Sequence, residues 1–275
     1  MAEVRQRRVL VVEDNEVNQV LAVAILAKLG HRADVAGDGR QGVELVLHGG
    51  YEAVLMDCQM PVLDGYQATA EIRRREGTAR HTPIIAMTAA VLQDGQTCLA
   101  AGMDDHIAKP VLLAEVRAVL ARWLQAGGRR RDGRWTGRPA ASTGEVLDRR
   151  RLAELGGLDP AGNGPALVGR LLESFLARIP VDLADLRTAF HHGDTARVLR
   201  VAHRLKGAAA TVGSSGMVGL CEQLELRARG GTVPPAGDLV PLLEQEFGRV
   251  IRALDAIFPS CRPRGPEGAP PGGEG

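Results

Sequence analysis

The sequence has few aromatic residues, no cysteine pattern and almost no net charge. Phe, Trp and Tyr make up 3% of its 275 residues, so any core must consist of aliphatic side chains. The four cysteines are scattered without CxxC or metal-ligand spacing, which predicts reduced thiols rather than disulfides. A net charge of +1 argues neither for nor against a nucleic-acid partner. No apolar run suits a signal peptide or a membrane span, so we expect a cytoplasmic chain without a membrane partner.

Short apolar runs alternate with helical patterns in the first 125 residues. Gly30 ends the first helical pattern, at residues 18–29, and the pattern at residues 113–125 closes the set. Five strand–helix units in this order predict an α/β fold with a parallel sheet and helices on both faces. The strand candidates are Arg8–Val12, Arg32–Ala36 and residues 53–56, 83–87 and 106–108.

The remaining residues divide into a linker, a helical region and a tail. Residues 126–145 are rich in Gly, Arg and Pro without apolar periodicity, which predicts a flexible linker. Its arginines suit a nucleic-acid patch, but a solvated linker is favoured, and we expect no nucleic-acid partner. Residues 146–258 show only helical patterns with short connections, which predicts an all-α bundle. Residues 259–275 are Pro/Gly-rich and predict a disordered tail.

Polar side chains follow the strand candidates where each strand ends. Glu13 and Asp14 follow the first, Asp57 the third and Thr88 the fourth, and Lys109 ends the fifth. If the strand order is 2-1-3-4-5, the three carboxylates converge outside the carboxyl ends of neighbouring strands. Such a cluster suits Mg²⁺, and a carboxylate can accept a phosphoryl group. The alternative is that the acidic pair only caps the next helix.

The stretch AHRLKGAAATVG, residues 202–213, predicts a helix with two distinct faces. His203, Lys206, Gly207 and Ala210 share a face at i, i+3, i+4 and i+7 spacing, so we expect His203 to point toward solvent. Gly207 lowers the stability of the helix by about 1 kcal/mol relative to alanine, which indicates that a partner approaches the backbone closely. An accessible neutral imidazole is a competent nucleophile for phosphorus. The alternative is a surface histidine beside a helix-packing glycine. The apolar stripe of this helix is formed by Val198, Ala202, Leu205 and Ala209.

The motifs VLVVEDNEVNQ, VLMDCQMPVLDG, IIAMTA and AKP, in this order, resemble the receiver domain of response regulators over about the first 125 residues. The resemblance implies a flavodoxin-like fold in which Asp57 is the phosphoacceptor. It also implies that Glu13 and Asp14 bind Mg²⁺ together with Asp57 and the backbone carbonyl of Gln59. Thr88 and Lys109 resemble the switch threonine and the invariant lysine of the family.

Two further positions of this resemblance bear on conformation. The family often has a cis bond after the lysine, here Lys109–Pro110, and proline makes a cis bond feasible. The family usually has Tyr or Phe where His106 stands in this sequence. The usual threonine–aromatic switch is therefore in question, whereas the phosphorylation chemistry is not.

The spacing HRLKG with Gly213 further on resembles the histidine phosphotransfer (HPt) domain over residues 146–258. The resemblance implies that His203 is the phosphorylated histidine. Lys206 assists the transfer and Gly207 makes room for the partner. We therefore expect residues 1–125 to be a receiver and residues 146–258 an HPt domain, as at the C-terminal end of hybrid sensor kinases.

These observations predict a two-component phosphorelay protein. Asp57 accepts a phosphoryl group from a histidine kinase, and His203 relays one to or from a receiver aspartate, either Asp57 or one on a downstream response regulator. We expect a stoichiometric phosphotransfer protein rather than an enzyme, because the sequence shows no ATP-binding kinase motif. One alternative is a phosphorylation-independent scaffold module. Another is an aspartate-based phosphatase, which Gln59 disfavours because such enzymes usually carry a second Asp there.

Overall fold

The structure, a computed structural model, describes residues 6–78, 80–89, 91–124, 146–159, 164–230 and 239–258. The predicted linker and tail lie outside these residues. The described residues up to 124 are called the sheet domain below, and those from 146 onward are called the helical domain. Across both domains, no helix within the described ranges is long and apolar enough to cross a membrane.

The sheet domain is built on five parallel strands in the order β2-β1-β3-β4-β5, which confirms the predicted class and order. Strands β3 and β4 are buried along their whole length, as continuous apolar runs between two helical layers require. Because β1 and β3 are neighbours, the residues that follow them meet at one edge of the sheet. The strands are β1 Arg8–Val12, β2 Arg32–Ala36, β3 Ala53–Asp57, β4 Ile84–Thr88 and β5 Asp105–Ala108.

Five helices cover the sheet: α1 Glu16–Lys28, α2 Gly39–Gly49, α3 Gly65–Glu76, α4 Val91–Ala101 and α5 Leu113–Leu124. The first begins two residues earlier than predicted because Asn15 caps it, with Asn15 Oδ1 accepting the Val17 N–H at 3.0 Å. The expected alternative, in which the acidic pair only caps this helix, is therefore wrong. Glu13 and Asp14 are available for other interactions.

A partly buried arginine holds α3 to the β4–β5 side of the sheet domain. Arg73 Nη1 lies 2.6 Å from Glu76 Oε2, and Arg73 Nη2 lies 2.7 Å from Asp104 Oδ2. Its guanidinium also donates to the carbonyls of Thr82 and Gly102. Both carboxylates are almost fully buried, so this arginine compensates two charges that water does not reach.

The helical domain contains the five helices α6 Arg149–Gly156, α7 Gly164–His191, α8 Thr195–Val212, α9 Ser215–Arg229 and α10 Leu239–Ile257. This confirms the predicted helical region. Phe175 and Phe247 meet edge to face in its core, with ring centroids 5.9 Å apart. Most of the other buried hydrophobic residues in the described chain are aliphatic, as the low aromatic content predicts.

The two domains pack directly against each other. Helix α1 of the sheet domain contacts α7 and α8 of the helical domain, and one apolar cluster runs through both. Polar bonds cross the same boundary: Asn15 Nδ2 donates to the Arg204 carbonyl at 2.9 Å, and Thr211 Oγ1 donates to Asn18 Oδ1 at 2.8 Å. The face of α8 that carries His203 is therefore turned toward the sheet domain.

Candidate functional site

Three carboxylates meet at the edge where β1 and β3 end. One oxygen each from Glu13, Asp14 and Asp57 lies within 4.8 Å of the others. Glu13 and Asp57 are each 1% exposed, and Asp14 is slightly more accessible. The structure thus brings together the three acidic residues that the sequence places after neighbouring strands.

Lys109 joins two of these carboxylates from the end of β5. Its Nζ lies 2.7 Å from Glu13 Oε2 and 2.8 Å from Asp57 Oδ2. The second oxygen of Asp57 accepts the Gln59 N–H at 3.2 Å, so both oxygens of this carboxylate are oriented. The Lys109 backbone N–H donates to the carbonyl of Thr88 at 2.8 Å, and the Lys109–Pro110 bond is cis, as expected.

The electrostatics of this cluster show an excess of negative charge. Burial and the neighbouring Glu13 raise the pKa of Asp57 well above its usual value, although Lys109 opposes the shift. Burial and Glu13 likewise raise the pKa of Asp14 to about 6. Burial alone would lower the pKa of Lys109, but Asp57 and Glu13 outweigh it and hold the ammonium protonated. Three carboxylates beside one lysine fit a bound divalent cation, because hard oxygen ligands are those that Mg²⁺ prefers.

Thr88 and His106 lie on the two strands beside this cluster. Thr88 ends β4 and is 2% exposed, at the same edge of the sheet as Asp57. His106 is on β5, where its side chain is 16% exposed and burial lowers its pKa. A smaller imidazole thus occupies a partly buried position where the family usually has an aromatic ring.

His203 is buried, and the expectation that it points toward solvent is wrong. Its side chain is 11% exposed, and its Nδ1 lies 2.9 Å from Glu225 Oε1 on α9. The other oxygen of Glu225 binds Lys206 Nζ at 2.5 Å. The helical wheel separates His203 correctly from the core stripe of its own bundle, but the sheet domain covers that second face.

The surroundings of His203 favour a neutral ring of one tautomer. Burial lowers the pKa of His203, its hydrogen bond to the Glu225 carboxylate opposes this, and the positive charge of Lys109 lowers the pKa further. Burial alone would raise the pKa of Glu225, but its bonds to His203 and Lys206 hold it below its usual value. A neutral ring beside an ionised carboxylate donates its Nδ1–H to that carboxylate, which leaves the Nε2 lone pair free.

The two predicted sites converge across the domain boundary. Arg204, which follows His203, places Nη1 3.8 Å from Asp14 Oδ2. The same guanidinium is anchored by Asp182, whose Oδ1 lies 2.7 Å from Nη2. Lys109 contacts Asp57 directly and is also close enough to His203 for its charge to affect the pKa of the imidazole.

Sequence reasoning missed four residues of this arrangement. Glu225 is 22 positions from His203, and no spacing rule connects them. Asn15, Asn18 and Arg204 bridge the two domains, which a pattern within one domain does not reveal. The only available signal was the motif DNEVN, where two asparagines follow the acidic pair one helical turn apart.

Comparison with known families assigns both domains. A family model for the response regulator receiver domain matches residues 9–121, and one for the Hpt domain matches residues 170–253. The chain joins a receiver domain to an Hpt domain. The sheet domain is called the receiver below, and the helical domain the Hpt domain. Both are phosphotransfer modules, and no family model for a kinase domain matches this chain.

Relatives that match most of the chain are hybrid-type sensor proteins. The aerobic respiration control sensor protein ArcB of Escherichia coli is 29% identical over 90% of this chain and 31% of its own length. The sensor histidine kinase GacS of Pseudomonas protegens is 28% identical over 92% of this chain and 26% of its own length. The chain thus spans less than a third of these relatives.

Among solved structures, the chain resembles the receiver domain of the sensor histidine kinase PA1611 from Pseudomonas aeruginosa. That structure has a magnesium ion coordinated in its active site cleft. It is 48% identical and covers 44% of this chain and 99% of its own, with a TM-score of 0.41.

Proposed function

We propose that this chain is a two-component phosphorelay protein in which Asp57 and His203 each carry a phosphoryl group. Asp57 accepts the phosphoryl group from a histidine kinase. His203 carries one to or from a receiver aspartate, either Asp57 or that of a downstream response regulator. The supporting observation is the contact of the two domains, which sets the residue after His203 3.8 Å from Asp14 in the acidic cluster.

Mg²⁺ is the cofactor that this cluster fits. Glu13, Asp14 and Asp57 would hold the ion, with the backbone carbonyl of Gln59 as a further ligand. A bound Mg²⁺ would offset charge on the phosphoryl oxygens. The buried, repelling carboxylates support this assignment, because Lys109 and the more distant Arg204, which Asp182 also binds, offset their negative charge only in part.

The proposed transfer step uses the tautomer of His203 and the contact of Lys109 with Asp57. In the forward direction the Nε2 lone pair of His203 attacks phosphorus, an N–P bond forms, and the acyl O–P bond at Asp57 breaks. The electron pair of that bond returns to the Asp57 carboxylate, which Lys109 stabilises. The Nδ1–H of His203 remains bonded to Glu225, which stabilises the charged ring that forms. The reverse direction uses the same contacts.

Thr88, Lys206 and Gly207 have supporting roles in this proposal. Thr88 hydrogen-bonds the phosphoryl group on Asp57, and Lys206 stabilises that on His203. Gly207 leaves space for the receiver. The chain acts stoichiometrically, so its phosphoryl groups come from a histidine kinase and leave for a response regulator. No feature of the described residues favours the scaffold alternative.

Single-turnover labelling tests this proposal. The full chain is treated with radiolabelled phosphorylated kinase and Mg²⁺, as wild type, Asp57→Asn and His203→Gln. Acyl phosphate is alkali-labile, whereas phosphohistidine is acid-labile and survives alkali, so the two labels are separated by quench. We expect label first at Asp57 and then at His203, with none at His203 in Asp57→Asn. Failure of a panel of kinases and small-molecule donors to label either residue would refute the proposal.

A further inference from the structure

One amide side chain connects the acidic cluster of the receiver to the Hpt helix that carries His203. Asn18 Nδ2 donates to Glu13 Oε1 at 3.0 Å, and Asn18 Oδ1 accepts the Thr211 hydroxyl at 2.8 Å. Both Asn18 and Thr211 are buried at the boundary. The amide is therefore held at both ends, one in each domain.

The space that Asn18 occupies exists because residue 207 is glycine. A Cβ built on Gly207 would lie 3.0 Å from Asn18 Nδ2, which is tighter than most Cβ contacts in proteins. The amide has little freedom to withdraw, because movement away from Gly207 lengthens its bond to Glu13 or to Thr211. The close approach that a helical glycine indicates is thus made by a side chain of the same protein.

We propose that Asn18 is a specificity-determining residue, which the Hpt domain selects through Gly207 and Thr211. The strip of α8 that these two residues form accepts a receiver whose α1 presents a small amide at this position. Its own receiver meets this requirement. A larger or apolar residue there would meet the glycine backbone or leave the buried hydroxyl of Thr211 without its acceptor.

This inference deepens the proposed function, because the same strip lies beside His203. A separate response regulator that takes the phosphoryl group must occupy the strip in place of the chain's own receiver. The Hpt domain thus discriminates among receivers by contacts at α1, one helical turn from His203, rather than at the reacting atoms alone.

A double-mutant cycle in the full chain tests this selection. Gly207→Ala should slow transfer between Asp57 and His203 about tenfold, since its methyl group meets the anchored amide. In the Asn18→Ala background the same change should alter the rate less than twofold, because the amide is gone. Thr211→Val, which keeps the side-chain shape, should slow transfer about fivefold. Gly219→Ala is the matched control, because a Cβ at this helical glycine meets no atom within 4 Å.

Small-angle scattering of the same variants separates docking from chemistry. We expect the radius of gyration to rise in Gly207→Ala and not in Gly219→Ala. One outcome is that wild type transfers no label while Gly207→Ala still raises the radius of gyration in a way that depends on Asn18. In that case the proposed relay is refuted, and the selection of Asn18 by Gly207 and Thr211 is supported. An equal effect of Gly207→Ala in both backgrounds, or no effect in either, would overturn the selection whether or not label moves. Alanine favours a helix more than glycine does, so loss of folding would not explain a slower rate.

Discussion

Replacing Glu225 by alanine and by glutamine separates two effects of this carboxylate on His203. Its Oε1 accepts the Nδ1–H of the imidazole at 2.9 Å and so holds the tautomer whose Nε2 is nucleophilic. Its charge also raises the pKa of His203 against the effect of burial. Alanine removes both effects, whereas glutamine keeps an oxygen acceptor and removes only the charge.

The expected magnitudes follow from the strength of this bond. A hydrogen bond to a charged group contributes about 1.5–3 kcal/mol, and each ~1.36 kcal/mol is tenfold in rate. Glu225→Ala should therefore slow transfer between Asp57 and His203 about tenfold to a hundredfold at neutral pH. Glu225→Gln should retain the rate to within about fivefold, because the amide oxygen still accepts the Nδ1–H.

The pH profile adds a readout that a purely structural role would not change. Among the described residues, the charges of Glu225, Lys206 and Lys109 act on His203, and burial with the lysines holds its pKa below the usual 6.5. Transfer to His203 should therefore persist below pH 6.5 in the wild type. In Glu225→Gln the midpoint of the pH dependence of the transfer rate should move to still lower pH, because the negative charge that favours the protonated ring is gone.

Rapid-quench measurement of the alkali-stable label, as a function of pH, gives both quantities. Glu222→Ala is the control, because Glu222 lies on the same helix and is exposed. Equal slowing by Glu225→Ala and Glu225→Gln would show that the acceptor does not matter. An upward shift of the midpoint in Glu225→Gln would refute the electrostatic part of the reasoning.

Three other predictions concern stability. Arg73→Met removes the cation shared by two buried carboxylates, Glu76 and Asp104, which keep only their contacts to Arg80 and His81. It should cost about 3 kcal/mol in urea unfolding, whereas exposed Arg74→Met should cost under about 0.5 kcal/mol, and equal costs would contradict this. Val62 is 76% exposed and has a left-handed φ of 70°, which a side chain with a Cβ disfavours. Val62→Gly should therefore raise the free energy of unfolding by up to about 1 kcal/mol, and a lower value than in wild type would contradict this. Because the folded pKa of His203 is lowered, its contribution to stability is complete above pH 6.5 and is lost as pH falls below that value. Wild type should therefore lose more thermal stability than His203→Gln between about pH 7.5 and about pH 5.5, and parallel losses would exclude this linkage.

The receiver and its acidic cluster could be predicted because their determinants are local. Each strand is a short apolar run, and the residue that ends it is adjacent in sequence to the run itself. The order of a parallel sheet then determines which strand ends meet, so Glu13 and Asp57 fall together although 44 positions separate them. Apolar periodicity predicts a start of α1 two residues too late, because it does not register the cap at Asn15.

The partner of His203 could not be predicted in the same way. In a helical bundle, helical periodicity shows which residues of a helix face the core but not which residue of the next helix meets each of them. Glu225 is on α9 at a position that reads as one more charged residue of an amphipathic helix. Pairing it with His203 requires the rotation and offset of two packed helices, which depend on tertiary contacts.

The burial of His203 shows what a helical wheel measures. A wheel separates the residues that pack inside one bundle from those that do not, and His203 belongs to the second group. It does not show whether water or another domain covers that second face. The one sequence feature that distinguishes these cases is Gly207. A glycine inside a helix lowers helix stability relative to alanine, and a group that occupies the space of the missing side chain can offset that loss. In this chain the occupant is Asn18, which lies four positions after Asp14 in the sequence. The glycine therefore indicated the close approach, and only the packing of α1 on α8 identified what approaches.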